Sequence, residues 1–271
     1  MYNLQWSHWF WLWPILFHPT VLIAQEQAKV PMPNAHAHND YAHNRPLFDA
    51  LHFGFTSVEV DVHLIDGVLY VAHDRPSKAD PDKSLQRLYL DPLKNIIQQN
   101  GGVVYPDYDV VFYLMIDIKG DPNLIYSALS KELEPIQEYL TIYEGNQTKP
   151  GPICLVLSGN RPREKILRAS ERIMALDGRP RDIGKGIEAS YMPIISDNYK
   201  HHFKWKGEGP IPSAEWRKLR ILVANAHAEG KKVRFWASPE NPKVWKTLLA
   251  AQVDFINTDD LSGLQKFLKK L

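Results

Sequence analysis

Eight short apolar runs, which alternate with segments of helical periodicity, constrain the fold of this chain more than any other feature. Each run has the length of one β-strand, and most of the intervening segments have the length of one helix. Repeated strand–helix units of this number predict a single α/β domain, a closed TIM (β/α)8-type barrel. The predicted strands are residues 34–38, 56–62, 68–73, 110–118, 153–157, 187–195, 232–236 and 255–257.

The predicted helices fill the remaining segments, with one exception. They are residues 46–53, 84–99, 122–143, 163–176, 213–229, 242–251 and 261–271. The exception is the turn Asp66–Gly67, which joins the second and third predicted strands too tightly for a helix to intervene. We therefore expect a modified second crossover in the barrel.

The N-terminus has a different composition from the rest of the chain. Residues 9–17 and 21–24 are apolar, and the chain turns polar at Gln25. This pattern predicts a signal peptide over residues 1–24, a linker over 25–33 and the barrel over 34–271, in a secreted or periplasmic protein. A signal anchor or a misassigned start codon is the alternative, because no Lys or Arg precedes Lys29.

Composition excludes some function classes. The net charge of +1 provides no general attraction for a polyanion, so no nucleic-acid partner is expected. The single cysteine, Cys154, has no partner for an internal disulfide and lies in an apolar run, where a small buried side chain is expected. We expect a monomer.

Two predicted strands each carry two charged side chains at a spacing of two. The pairs are Glu59 with Asp61, and Asp117 with Lys119. Strand side chains alternate between faces, so each pair lies on one face and its apolar neighbours lie on the other. Three carboxylates on the inner side of a sheet are costly unless a cation lies between them. A hard divalent ion, Mg²⁺ or Ca²⁺, is the cation that such oxygen ligands favour.

Two histidines add proton-transfer groups to these carboxylates. His38 ends the first predicted strand and His73 ends the third. In TIM barrels the chemistry collects at the C-terminal ends of the strands, where all these side chains are expected. The set predicts a metal-dependent acid–base site, because imidazoles with pKa values near neutrality can exchange the two roles.

Several segments resemble the glycerophosphodiester phosphodiesterase family, within the superfamily of phospholipase-C-like phosphodiesterases. They are similar in particular to the branch with the sphingomyelinase-D-like toxins and the altered-inheritance-of-mitochondria proteins. The segments are residues 38–41, 57–62, 67–74, 116–119 and the closing strand 252–260. The resemblance implies that His38 and His73 are the acid–base pair, that Glu59, Asp61 and Asp117 hold one divalent cation, and that Lys119 neutralises the phosphate.

The chain departs from the family pattern at two positions. Asn39 follows the first histidine where most members have Arg-Gly, and Asp117 replaces the more common glutamate, as in the toxin-like branch. We expect Asn39 to contact substrate, with Arg161 replacing the missing arginine and Trp236 packing beside the substrate. The basic and aromatic loop 198–206 suggests transient contact with a membrane surface.

The expected activity is therefore a metal-dependent cleavage of glycerophosphodiesters or (lyso)phospholipids. The nucleophile is either water or a neighbouring substrate hydroxyl, which would give a cyclic phosphate first. One alternative is a metal-dependent hydrolase that uses the His-x-His pair His36 and His38. The other is a non-catalytic barrel that binds a phosphorylated ligand.

Overall fold

The computed structural model describes residues 29–145 and 147–271. The predicted signal peptide, residues 1–24, lies outside the described residues. Eight parallel strands close into a barrel that is surrounded by helices, which confirms the predicted TIM-type fold. Within the described part of the chain, no helix is both long enough and apolar enough to cross a bilayer.

The strands, in chain order, are β1 Met32–Ala37, β2 Phe55–Ile65, β3 Val68–Val71, β4 Phe112–Ile118, β5 Ile142–Glu144, β6 Gln147–Lys149, β7 Ile153–Gly159, β8 Glu171–Arg172, β9 Met174–Gly178, β10 Ile194–Asn198, β11 Lys232–Trp236 and β12 Phe255–Thr258. The α-helices are α1 Phe48–His52, α2 Asp91–Gln99, α3 Pro122–Glu132, α4 Arg163–Arg168, α5 Tyr199–His202, α6 Ser213–Ala228, α7 Pro242–Ala250 and α8 Leu261–Leu268. A π-helical turn, Gln86–Leu90, leads into α2, and short 3-10 turns occur at Asp40–Ala42, Pro81–Lys83, Glu134–Tyr139 and Pro180–Asp182.

The barrel closes in the order β1, β2, β4, β7, β9, β10, β11, β12 and back to β1, with every neighbouring pair parallel. β3 is antiparallel to β2 and lies outside the closed ring. β5, β6 and β8 form a separate small sheet. The parallel arrangement places the carboxyl ends of all eight barrel strands at one rim.

Four predicted elements were wrong in detail: the strands 68–73 and 187–195 and the helices 122–143 and 163–176. The helix that begins at Pro122 ends at Glu132, and β5 begins at Ile142. The run 68–73 is not a barrel strand, because the tight turn at Asp66–Gly67 makes β3 fold back against β2. The barrel strand that the sequence missed is β9, Met174–Gly178. The helix predicted over 163–176 would include the start of this strand, but α4 ends at Arg168. A short apolar run such as that of β9 does not distinguish a buried strand from a helix. β10 begins only at Ile194, after Pro193.

The alternation of β2 and β4 divides the core into two layers. Val58, Val60 and Val62 are fully buried in the large apolar layer that also contains helix residues such as Leu93 and Val244. Glu59 lies on the opposite face, paired across the strands with Met115. Met115 belongs to a smaller apolar cluster that includes Cys154, Val156, Ile194 and Phe255 and fills the lower barrel interior. Cys154 is buried, as expected from its apolar run.

A buried carboxylate fixes the loop that follows β1. Asp40 is fully buried, and its Oδ2 accepts hydrogen bonds from the Leu47 backbone N–H (2.6 Å) and the Tyr89 hydroxyl (2.8 Å). Its Oδ1 has no partner among the described residues. Burial raises the pKa of Asp40 to about 6, because two hydrogen bonds do not replace the lost hydration. The loop thus keeps its shape at a cost in stability when Asp40 is ionised.

We expect Asp40→Asn to change how stability depends on pH. Folding raises the pKa of Asp40 from 3.8 to about 6. Burial of Asp40 therefore lowers the free energy of unfolding by the full amount above about pH 6, and this loss of stability disappears as the pH falls below 3.8. Between pH 4 and pH 7 the free energy of unfolding of the variant should therefore rise relative to wild type by roughly 2 kcal/mol. Denaturant unfolding at both pH values measures this difference. A difference that stays constant between them would contradict the assignment.

Candidate active site

Three carboxylates converge inside the upper barrel. β2 and β4 are parallel neighbours, and their register places Asp61 directly opposite Asp117, with Glu59 two residues earlier on the same face. One oxygen from each of the three side chains lies within 4.8 Å of the others. Glu59 is 5% exposed and Asp61 is 1% exposed, so two of the charges have little contact with solvent.

Two cations contact the carboxylates. Lys119 Nζ lies 3.2 Å from Asp61 Oδ2 and 3.1 Å from Asp117 Oδ1. The buried Arg234 Nη1 donates to Glu59 Oε2 at 2.8 Å. Burial by itself would raise the pKa of Glu59, but the Arg234 guanidinium holds it well below its usual range. At Asp117 the effects of burial and of the Glu59 charge prevail over Lys119, and the pKa is raised.

The charge of the cluster suits a divalent cation. Three carboxylates, one ammonium and one guanidinium leave a net charge of −1. Oxygen atoms are the ligands that Mg²⁺ and Ca²⁺ prefer. Glu59, Asp61 and Asp117 therefore fit such an ion, and these are the three residues that the sequence predicts as its ligands.

His38 lies on one side of the cluster. It follows β1, and its Nε2 is 4.0 Å from Glu59 Oε2. Its Nδ1 is 2.8 Å from Asp259 Oδ1, a carboxylate that follows β12, the parallel neighbour of β1. Burial lowers the pKa of His38, but the hydrogen bond to Asp259 and the charge of Glu59 outweigh it, and the net shift is upward. The Asp259 contact also assigns the Nδ1 proton and leaves Nε2 available to a substrate.

His73 contacts the cluster at Asp61. It follows β3, and its Nδ1 is 3.2 Å from Asp61 Oδ2. Its backbone carbonyl is 3.3 Å from His63 Nε2, so the buried His63 supports the turn that carries it. The His73 side chain is 70% exposed, which leaves room for a substrate oxygen beside it.

His36 lies below the cluster, with its Nε2 3.5 Å from Glu59 Oε2, and both of its ring nitrogens have protein partners. Burial, together with the Arg234 charge, lowers the pKa of His36 to about 4, so the ring is neutral. Its Nε2 accepts a hydrogen bond from Arg234, and its Nδ1 then donates to Ser57 Oγ at 2.7 Å. Both ring nitrogens are therefore in use. This arrangement disfavours the alternative in which His36 and His38 bind a transition metal.

The residues predicted to contact substrate lie around the same rim. Asn39 has a left-handed backbone (φ 45°), and its amide lies between His38 Nδ1 (3.2 Å) and the Tyr41 hydroxyl (3.0 Å). Arg161 is partly buried and donates to the Gly159 carbonyl at 3.0 Å, on the side of Asp117. Its pKa is lowered by burial and by the nearby Arg179. Substrate contact by these residues stays a prediction.

Trp236 ends β11 at the same rim. It lies beside the ring of His201, with the two centroids 6.4 Å apart. His201 and His202 both contact Asp197, at 3.1 and 2.9 Å, so the loop after β10 is tied to its own strand. Packing of Trp236 against substrate, and membrane contact by this loop, stay predictions.

A cavity of about 1070 Å³ opens beside His73. Its walls come from the loop after β1 and the loop after β3, and they include Tyr41, Pro76, Lys78 and Leu88. The lining mixes apolar and charged groups. His73 and Tyr41, which both contact Asp61, line it, so the cavity borders the carboxylate site.

The sequence reasoning did not identify four residues of the site. Arg234 and Asp259 contact Glu59 and His38 from strands that are distant in sequence, and Tyr41 donates to Asp61 Oδ2 at 2.8 Å. Gly159 allows the Asp117 carboxylate to pack against the backbone of β7. The signal for Asp259 was present in the polar run that ends the last strand. Nothing in the sequence pairs Arg234 with Glu59.

Comparison with known proteins gives the family. A family described as the AIM6-like phosphodiesterase domain matches residues 25–177, which include every strand that carries the three carboxylates. This chain belongs to that family. The Glycerophosphoryl diester phosphodiesterase family matches residues 232–262, the segment with Arg234 and Asp259. The resemblance seen in the sequence is thereby confirmed.

Relatives and a solved structure agree with this assignment. The altered inheritance of mitochondria protein 6 homolog of Arthroderma benhamiae is 28% identical, over 94% of this chain and 88% of the relative. The altered inheritance of mitochondria protein 6 of Eremothecium gossypii is also 28% identical, over 90% of this chain and 72% of the relative. A glycerophosphodiester phosphodiesterase structure from Parabacteroides distasonis has a TM-score of 0.58 at 16% identity, and the match covers 89% of this chain and 98% of that one. That likeness supports the fold.

We expect Gly159→Ala to weaken binding of a divalent cation. A methyl group there would lie 2.9 Å from Asp117 Cγ and 2.7 Å from the Ile118 carbonyl oxygen, so the Asp117 carboxylate must move. Displacing a metal-binding side chain should raise the Kd for Mn²⁺ by about tenfold or more, measured by calorimetry. Gly101→Ala is the control: it has a similar positive φ of 71° but nothing within 4 Å. Equal Mn²⁺ affinities in both variants would contradict this account.

We expect Asp259→Asn to shift the pH dependence of activity. Without the carboxylate, the raised pKa of His38 falls, so the limb of the kcat/KM profile that His38 controls moves to lower pH. The maximal rate should also fall by up to about 10²-fold, because the ring loses its orienting partner. Asp107→Asn, an exposed change in the turn before β4, should leave both quantities unchanged. An unshifted limb in Asp259→Asn would show that Asp259 does not act on His38.

Proposed function

We propose that this chain is a metal-dependent phosphodiesterase that cleaves glycerophosphodiesters or (lyso)phospholipids by acid–base catalysis between His38 and His73. One observation carries the proposal: each histidine contacts a different carboxylate of the cluster, with His38 next to Glu59 and His73 next to Asp61. A phosphate bound at the cluster would then have a proton acceptor at His38 and a proton donor at His73. Displacement at phosphorus uses both groups.

The charge of the site supports an anionic substrate. A divalent cation held by Glu59, Asp61 and Asp117 would neutralise phosphate oxygens when bound. The net charge of the cluster would then be +1, which complements the single negative charge of a phosphodiester. Lys119, already 3.1 Å from Asp117, is placed to contact a phosphate oxygen. The predicted contact by Arg161 would add a second cation on the same side.

The environments of the histidines favour one division of roles. Asp259 contacts His38 Nδ1 and so directs the lone pair of a neutral ring at Nε2 toward the site, which suits removal of the nucleophile's proton. His73 borders the large cavity, where the departing alcohol has space, and this suits protonation of the leaving oxygen. The nucleophile is water, or a neighbouring hydroxyl of the substrate that yields a cyclic phosphate before hydrolysis. In the second route the histidines exchange roles for the hydrolytic step.

The cavity beside His73 supports a substrate larger than a simple glycerol diester. About 1070 Å³ is at the upper end of the volume of small-molecule sites. Its mixed lining, with Leu88 and Pro76 as well as Lys78, suits an amphipathic group such as the glyceryl part of a lysophospholipid. We extend the proposal to a secreted or periplasmic monomer that makes transient contact with a membrane surface through residues 198–206.

The test is ³¹P NMR of the protein with glycerophosphocholine and lysophosphatidylcholine, in Mg²⁺, in Ca²⁺ and in EDTA. We expect a phosphomonoester or cyclic phosphate resonance that appears with one of the ions and is absent in EDTA. His38→Asn and His73→Asn should each reduce the rate by about 10²-fold or more. His52→Asn, an exposed change on α1, is the matched control and should not.

Two results would contradict the proposal. Unchanged diesters under all conditions would favour the non-catalytic barrel that binds a phosphorylated ligand. Full activity in EDTA would remove the divalent cation from the reaction. Equal rate losses in the His38, His73 and His52 variants would indicate a loss of folding, which circular dichroism of the three proteins checks.

A further inference from the structure

We infer that Tyr41 is a positioning residue that orients Asp61 for the divalent cation and holds His73 beside it. The inference rests on the proposed function, because it concerns the same site. Tyr41 follows β1 in the loop that starts at His38, whereas Asp61 and His73 come from β2 and from the turn after β3. Tyr41 therefore joins three segments that the barrel strands alone would not hold together.

The Tyr41 hydroxyl has one proton and several neighbours. It lies 2.8 Å from Asp61 Oδ2, 3.0 Å from Asn39 Oδ1 and 3.5 Å from His73 Nδ1. The ionised carboxylate is the strongest acceptor of the three, so the proton is donated to Asp61. A tyrosine hydroxyl keeps its proton at neutral pH. The hydroxyl is thus a permanent donor to Asp61.

Asp61 Oδ2 is the point where these contacts meet. It accepts from the Tyr41 hydroxyl at 2.8 Å and lies 3.2 Å from both His73 Nδ1 and Lys119 Nζ. Three donors on Oδ2 fix the side-chain torsion of Asp61. None of these three donors contacts Oδ1, the oxygen that remains for a cation. Partners of this kind, which orient a ligand without touching the metal, typically change metal affinity 10–100-fold when they are removed.

His73 depends on the same hydroxyl because little else holds its ring. Its side chain is 70% exposed, and its ring contacts are with Asp61 and Tyr41. Asn39 lies beside the same hydroxyl, with its Oδ1 3.0 Å from it. A change at Tyr41 should affect metal affinity and catalysis together.

The test compares Tyr41→Phe with Tyr105→Phe. Both remove one hydroxyl, but the Tyr105 hydroxyl is buried and donates to the Phe55 carbonyl at 2.6 Å, away from the carboxylates. Calorimetric titration of the metal-free proteins with Mn²⁺ measures the effect on Asp61 without any substrate. We expect the Kd of Tyr41→Phe to rise about tenfold or more, and that of Tyr105→Phe to equal the wild-type value.

Kinetics provide the second measurement. At saturating Mn²⁺, we expect the kcat of Tyr41→Phe toward the diester to fall by about tenfold with KM little changed, since His73 loses its support and the substrate contacts remain. Wild-type Mn²⁺ affinity in Tyr41→Phe would overturn the inference, whatever its kcat. An equal loss of affinity in Tyr105→Phe would also overturn it, because the effect would then be one of general stability.

The inference and the proposed function can fail separately. A wild-type protein that binds Mn²⁺ but cleaves no diester would contradict the proposed function, while the Kd of Tyr41→Phe would still decide the role of Tyr41. A wild-type protein that cleaves diesters, with a Tyr41→Phe variant of unchanged Mn²⁺ affinity, would overturn the inference alone.

Discussion

The concentration of negative charge inside the barrel is the constraint on which the rest of the structure depends. Glu59 and Asp61 are nearly inaccessible to solvent, and Asp117 lies against them. An isolated buried carboxylate would lose its hydration without compensation, so the fold must provide cations beside it. Arg234 provides one from β11, across the barrel interior, and Lys119 provides another from the end of β4. Removing Arg234 would leave the buried Glu59 without the cation that donates to it.

This charge arrangement also explains how the barrel interior is layered. Apolar side chains such as Met115 and Phe255 fill the lower part. The polar groups lie above them, toward the carboxyl ends of the strands, where loops bring further partners. His36 lies at the boundary; it is neutral and accepts a hydrogen bond from Arg234, so it orients that guanidinium without adding charge. The three carboxylates with Lys119 and Arg234 then keep a net charge of −1, which would attract a divalent cation.

The family assignment and the side chains provide different kinds of support. The AIM6-like phosphodiesterase domain is the family of the chain, and a glycerophosphodiester phosphodiesterase with 16% identity shares its fold. Barrels of this type serve many reactions, so fold alone does not define the chemistry. The proposed chemistry rests on two histidines that contact different carboxylates of an oxygen-ligand cluster. The relatives called altered inheritance of mitochondria protein 6 do not contradict the proposed chemistry, since that name describes no reaction.

The sequence by itself determined that the fold is an α/β barrel and that Glu59, Asp61 and Asp117 form one group. Strand alternation is local, so the spacing of two places each pair on one face whatever the rest of the chain does. The sequence did not identify β9, because its short apolar run is compatible with both a strand and a helix. Only the tertiary structure decided that Arg234 pairs with Glu59, that Asp259 contacts His38, and that Tyr41 donates to Asp61. These contacts depend on barrel closure and loop conformation, which bring together groups as far as 221 residues apart in sequence, and no local pattern encodes them.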